Sequence, residues 1–543
     1  MYKLLSRKLL FIILVLSLIL PLSLAEAAPR EPVTLQFLAV SDWHAQLDPL
    51  SAFEVGDVGG AAAISTYWQM DRLENPNTLT ITAGDAYGAS PPLSGFFDEV
   101  PGVLAMNLMG FDVDTFGNHN FDRGIDHLQE MIDLADFQYV SANLRNVEDN
   151  LSGVKPYEIF EVGGVKVAVI GITNPEAPTL VFPGNFGTIE VTDPVPAANK
   201  AKAQARQEGA KVFVAITHLG VTGFDPVTGE AEGPLIDFAK NVGGFDLIMG
   251  DHTDVLFSGV INNALVVENR SKGLTYSRVH LTVDAHNGRL IDRSVEFVTP
   301  LSDLVEPDPA IEDMLAPFRE ALSEAFDIVI GEATDTFPRG GNIERLGEVA
   351  IGNLVSDAIR LHYDAQLGFT NGGGIRTPLP SDYLPVDTNL RRPHAGYAPG
   401  PPWDLVVGDV FGMLPFGNSI VTREVTGALL YEILEHSVAV IPGASGRFGQ
   451  ISGFRFVFDS SLPAGSRIIT VELDDGTPIL PDGTVYTFAT NDFVNAGGDG
   501  YSMLADGQGV TREVMADVVM EYIIEQGVIT PTIEGRIIDL AAQ

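Results

Sequence analysis

The chain contains no cysteine. That absence excludes disulfides, thiolate metal sites and thiol nucleophiles together, and it leaves no lipid-attachment cysteine near the start. Any metal must be held by His, Asp, Glu or Asn. Positive charge is scarce too: 32 Lys and Arg stand against 72 Asp and Glu, a formal charge of −40 over 543 residues. A surface of that sign repels polynucleotides and anionic membranes at long range, so no nucleic acid polymer is expected as a partner. An anionic small substrate is compatible with it if the site supplies its own local positive charge. The apolar run Leu9–Leu24 is short for a transmembrane helix.

That run has a different signature. Lys3, Arg7 and Lys8 precede it, and Ala25-Glu26-Ala27 comes after it as a small-x-small cleavage site. Residues 1–27 are therefore expected to be a secretory signal, with an uncleaved anchor as the alternative. Once it is removed no stable membrane insertion is expected, and the mature protein would be periplasmic, at the cell surface or extracellular.

The remainder is globular in composition, 45% hydrophobic and 19% charged, with 56 Gly and 34 Pro marking many turns. Its length favours two or three domains. From about Pro32 to Pro300, Val- and Ile-rich runs such as VTLQFLAV, TLTIT, VKVAVIGI and KVFVAITH alternate with helical stretches such as PVPAANKAKAQARQEGA. Nearly all-apolar strands are buried on both faces, so this half reads as an α/β sandwich. A connecting helix is expected near residues 308–327, and a second α/β domain after it.

The residues just past each strand carry the chemistry. LQFLAV is followed by Ser41-Asp42-Trp43-His44, and TLTITA by Gly84-Asp85. VDTF is followed by Gly117-Asn118-His119-Asn120-Phe121-Asp122, VFVAIT by His218, and DLIM by Gly250-Asp251-His252-Thr253-Asp254. Each residue alone is an ordinary turn residue. Five successive strands delivering His, Asp or Asn at their carboxyl ends point instead to one site. Imidazole, carboxylate and amide oxygens suit zinc, manganese or iron. The donors exceed what one tetrahedral ion uses, so two ions sharing Asp85 are expected, spaced to clamp an in-line displacement at phosphorus. Asp122, three residues after His119, is placed to orient its imidazole; capping the next helix is its competing role.

SDWHAQL, TAGD, GNHNFD, ITHLG and GDHTD, in that order, resemble the calcineurin-like metallophosphatase domain. GNLVSDAIR, TNGGGIR, LPFGN and NAGGDGY resemble the C-terminal domain of the 5′-nucleotidase family. The resemblance implies an α/β fold: a four-layer α/β-β/α sandwich over residues 28–300, a linker helix over 301–330 and a substrate-binding α/β domain over 331–543. It implies two divalent ions held by Asp42, His44, Asp85, Asn118, His218 and His252, with His119 and Asp122 as catalytic pair. Asp254, where many metallophosphatases have a second histidine, is carried as a further metal ligand, whereas Asp251 is expected to be structural. Asn120 replaces the usual Glu and is expected to ligate nothing.

In the second domain the resemblance implies Arg345 and Arg376 on the substrate phosphate and Asn371 on the base. Phe416 and Tyr501 would sandwich that base, and Asp506 would accept from ribose hydroxyls. The implied activity is a secreted, metal-dependent 5′-nucleotidase-type hydrolysis of nucleotides by in-line attack of metal-bound hydroxide. The alternatives are a 2′,3′-cyclic-nucleotide phosphodiesterase with 3′-nucleotidase activity, a UDP-sugar hydrolase, and a catalytically weak nucleotide-binding surface protein.

Overall fold

The computed structural model describes residues 32–52 and 56–542; the expected signal over residues 1–27 lies outside them. The first half is built on two six-stranded sheets. One runs in the order Leu290–Val298, Tyr276–Val283, Val33–Val40, Thr78–Thr82, Val113–Asp114, Gln138–Tyr139; its last four strands are parallel. The other runs Phe257–Ile261, Ala264–Glu268, Leu247–Gly250, Val212–Thr217, Val165–Ile172, Tyr157–Val162, with its four central strands parallel.

The two sheets pack face to face. Phe37, Ile81 and Val113 of the first share one buried cluster with Val169, Val214 and Met249 of the second. Successive side chains of a strand point to opposite faces, so the alternate residues bury the outer faces. Ala168, Ile170 and Ile248 pack under the helices Pro194–Gln207 and Pro234–Asn241. Leu38 and Val40 pack under Ala61–Glu74 and Val100–Met109. The result is a helix–sheet–sheet–helix sandwich of four layers.

A helix spans Pro309–Phe326. Pro309 at its first position has no N–H to leave unpaired, and Asp308 caps it by accepting from the Ala310 N–H at 3.0 Å. The Asp308 carboxylate also accepts from Ser65 at 2.7 Å and Gln69 at 2.6 Å, tying the helix to the first half. At its other end Phe326 packs edge-on against Phe96 of the first half and tilts against Phe411 of the second, with centroids 5.0 and 5.1 Å away. The helix is thus part of the core joining the halves.

Beyond it, a five-stranded sheet runs Gly449–Ser452, Leu367–Asn371, Val485–Asn491, Ser419–Thr426, Val510–Val514. Two of its strands end in Asn371 and Asn491, both buried. Among the described residues no helix is long and apolar enough to cross a membrane.

Candidate metal centre and substrate cavity

The five strand ends converge. Three belong to the first sheet, carrying Asp42 and His44, Asp85, and Asn118; two belong to the second, carrying His218 and His252. Cross-links hold the sheet edges together there. Ser41 Oγ donates to Gly250 O at 3.2 Å, and Asn269 Nδ2 to Ala39 O at 2.9 Å.

The backbone turns sharply to present these groups. Asp42, His44, Asp85, His252 and Asp254 all have positive φ, a left-handed conformation that costs a non-glycine residue energy and concentrates at functional sites. Gly117 is required by close approach: a Cβ there would lie 2.1 Å from Asp85 Oδ1 and 2.6 Å from His218 Cε1. Asn120 holds the same turn from behind. Its Oδ1 accepts from the Gly117 N–H at 2.8 Å and the Asp85 N–H at 3.2 Å, which is structural work in place of ligation.

Asp42, His44 and Asp85 bring ligand atoms within 4.8 Å of one another; so do Asp85, His218 and His252, and so do Asp42, His218 and Asp251. Asp85 thus shares one group with His44 and another with His252, the place of a bridging carboxylate. His218 Nε2 lies 3.1 Å from Asp85 Oδ2 and 3.0 Å from His252 Nδ1. The imidazoles are oriented for ligation: His44 Nδ1 bonds to Gly88 O at 2.7 Å and His218 Nδ1 to Ala83 O at 3.1 Å. Donating Nδ1–H to a carbonyl fixes the tautomer and leaves the Nε2 lone pair for a cation. The Asn118 Oδ1 atom is buried with no hydrogen-bond partner. A buried acceptor without a donor is costly, and a metal ion satisfies it. The residues therefore fit a divalent centre.

Electrostatics agree. Burial pushes Asp42 up to about 7 against the pull of His218. Burial would also raise Asp85, yet facing His218 and His119 hold it below the ordinary carboxylate value. Burial disfavours charge on His218, but Asp85 keeps it up at about 9. Burial and then His218 push His252 down to about 3.

Beside the cluster, His119 Nδ1 lies 2.9 Å from Asp122 Oδ2, and the His119 backbone N–H donates to Asp85 Oδ1 at 2.8 Å. Asp122 caps no helix by its side chain, and the next helix begins at Gly124. Both residues line a cavity of about 810 Å³ shared by the two halves. Asp254 stands exposed on the same wall and joins none of the three donor groups, whereas Asp251, the expected structural residue, joins one.

From the second half Arg345, Asn371, Arg376 and Phe416 reach this cavity. Arg376 Nη2 lies 3.4 Å from His44 Nε2, and its guanidinium sits over the Phe416 ring at 5.7 Å. Phe416 in turn stacks on His119, with centroids 5.6 Å apart at 18°. Buried Glu344 holds Arg345 at 3.4 Å and Arg339 at 3.2 Å. Arg339, Arg345 and Arg376 supply the local positive charge that the acidic surface demanded. Burial, then crowding by the other two arginines, pushes Arg376 down to about 10.

Two expected substrate residues are not brought to the cavity. Tyr501 is fully buried in the second-domain core, edge-on to Phe369 and His436, with its hydroxyl bonded to Arg447 O. Asp506 is exposed on the surface and pairs with Arg423 at 2.9 Å. The cavity instead receives Phe493 and Asp499, and Asp499 Oδ2 accepts from Asn371 Nδ2 at 2.7 Å. Phe493 lies two residues past the strand end Asn491, so the strand-end rule that found the metal donors applies to it as well.

Comparisons with known proteins agree with this architecture. Residues 329–506 match the model of the 5′-nucleotidase C-terminal domain. The chain is 27% identical to a 5′-nucleotidase from Diplobatis ommata, over 96% of this chain and 92% of that one. It is 28% identical to the endonuclease YhcR of Bacillus subtilis, over 86% of this chain, but spans only 38% of that relative's length. The crystal structure of a 5′-nucleotidase precursor from Thermus thermophilus superposes with a TM-score of 0.81 at 27% identity, covering 94% of this chain and 99% of that one. Fold and site define a two-domain α/β protein of the phosphoesterase class. Within that class, the chain is similar to 5′-nucleotidases along nearly its whole length, and residues 329–506 match that family's C-terminal domain.

Proposed function

We propose that the chain is an exported, two-metal phosphohydrolase that releases phosphate from nucleoside 5′-monophosphates. One observation carries this reading: a buried imidazole–carboxylate cluster shares a cavity with four arginines and two phenylalanines from the other half of the molecule. The first set suits a reacting phosphoryl group, the second a nucleotide.

Asp42, His44, Asp85, Asn118, His218 and His252 would hold the two ions, with Asp254 on the open side. When bound, a pair of divalent ions lowers the pKa of water and neutralises charge on the attacking and leaving oxygens. The protein's own groups do the rest. Arg345 and Arg376 fork onto phosphoryl oxygens by charge-assisted hydrogen bonds. Asp122 holds the Nδ1 proton of His119, leaving Nε2 as the nitrogen that stabilises a phosphoryl oxygen or gives a proton to the leaving group. Phe416 and Phe493 present ring faces to the base, each stack worth roughly 1–3 kcal/mol and tolerant of base identity. Asn371 and Asp499 offer an amide and a carboxylate to the nucleoside.

Phosphate release from AMP, UDP-glucose and 2′,3′-cyclic AMP, each with and without chelator, tests the assignment. AMP turning over fastest supports the 5′-nucleotidase reading. Faster release from either competitor moves the chain to that activity, and no metal-dependent release from any of them overturns the proposal.

A further inference from the structure

One buried group in the centre has no role in holding or turning over a nucleotide. The Asp251 carboxylate is 1% exposed. Its Oδ1 accepts from the His252 N–H at 2.9 Å, while its Oδ2 is buried with no hydrogen-bond partner. The residue sits where the strand Leu247–Gly250 ends, with its N–H on Leu219 O at 3.0 Å, so the backbone fixes it in place. Its carboxylate oxygen and ligand atoms of Asp42 and His218 lie within 4.8 Å of one another. Asp42 is turned by the same N–H: His252 N donates to Asp42 Oδ2 at 2.9 Å. Two buried carboxylates therefore crowd one backbone donor.

Glu268 nearby has both oxygens satisfied by donors, accepting from Val221, Thr253 and Val255. Asp251 Oδ2 has none. A buried, unpaired carboxylate oxygen facing a second carboxylate costs several kcal/mol unless a cation neutralises both. We propose that Asp251 is a third carboxylate of the metal centre, placed behind Asp42 and His218, which adds negative charge to the bound pair and favours oxygen-seeking ions such as Mn²⁺ relative to Zn²⁺. This role rests on the two-metal reading. Charge and oxygen donors tune a site between these ions because manganese prefers carboxylate oxygen and zinc accepts imidazole readily.

The test is calorimetric titration of chelator-stripped full-length protein with MnCl₂ and with ZnCl₂, comparing wild type, Asp251→Asn and Asp251→Ala. Asn keeps the shape and can donate to Asp42, so it separates charge from hydrogen bonding. Removal of a group that tunes a metal centre commonly costs about 10–100-fold in affinity. Both variants should therefore lose roughly tenfold or more for one Mn²⁺ and distinctly less for Zn²⁺, while Asp251→Glu recovers part of the Mn²⁺ loss. Melting temperatures of the metal-free proteins serve as the folding control, and any one variant that melts cooperatively suffices. An Asp251→Asn protein with wild-type affinities for both ions overturns the proposal, even if Asp251→Ala is impaired, because Asp251 would then be a hydrogen-bonding neighbour only. A wild type that binds neither ion fails the two-metal reading itself, a result distinct from unchanged affinities in the variant.

Discussion

At the scale of single residues, His119 is distinguished by its neighbours. It shares its backbone N–H with Asp85, its Nδ1 with Asp122 and its ring face with Phe416. It therefore touches the buried donor cluster, a carboxylate beside it and a ring of the cavity wall at once. His119→Ala should lower kcat for AMP by about 10²–10⁴-fold, the range of a positioned acid–base group. Metal content by mass spectrometry should stay unchanged, because the His119 imidazole is in none of the donor groups. Loss of metal together with activity would instead make it a ligand. The ligands carry a pH prediction. His218, held up at about 9, is protonated at neutral pH in the metal-free protein and must lose that proton to ligate. Metal binding at pH 7 should therefore release protons, and apparent affinity should rise with pH until about 9. Calorimetry in two buffers of different ionisation enthalpy reads this directly; equal heats in both would contradict it.

At the scale of elements, the helix Pro309–Phe326 depends on one side chain at its start. Asp308 caps it and also holds Ser65 and Gln69. Asp308→Ala should destabilise the protein by about 1–3 kcal/mol, since it removes a cap and strands the buried Ser65 hydroxyl. A lowered urea midpoint with unchanged KM is the expected result. Elements also explain how far the sequence could be read. The metal donors were legible because each lies within a few residues of a strand end, and strand ends announce themselves as apolar runs stopping at Gly, Asp or His. The expected four-layer sandwich implies two facing sheets, but apolar periodicity did not show which of the five strands belongs to which sheet, because nothing local distinguishes them. The substrate residues were less legible. NDFVNAGGDGY offers both Phe493 and Tyr501, and across a loop with left-handed residues at Gly497, Asp499 and Gly500 Tyr501 enters the core while Phe493 stays on the cavity wall. Asp506 was lost for a similar reason, because its partner Arg423 lies on a distant strand. Asp254 and Asp251 differ in burial: the turn leaves Asp254 exposed on the cavity wall and buries Asp251 in one of the donor groups.

Over the whole molecule, the two halves divide the work. The sandwich carries the buried donors, and the second half carries the arginines, Asn371 and both phenylalanines across the cavity. A formal charge of −40 makes those arginines the local exception that lets an anionic substrate settle there. The division predicts a separation of kinetic effects. Phe493→Ala should raise KM for AMP, with a loss of roughly 1–3 kcal/mol in binding. It should leave hydrolysis of p-nitrophenyl phosphate, which has no base to stack, nearly unchanged. Tyr501→Phe should leave KM for AMP unaltered and cost only stability, since its hydroxyl serves Arg447 O inside the core. Equal KM effects in the two variants would contradict the placement.

At the centre of all three scales stands one claim: donors from five strand ends form a metal centre that acts on nucleotide phosphate. The most direct measurement is phosphate release from AMP by the stripped protein, before and after Mn²⁺ or Zn²⁺ is returned. Negligible release without metal and full recovery with it are the expected results. Release that survives exhaustive stripping, or that no divalent ion restores to a protein still folded, would contradict the claim.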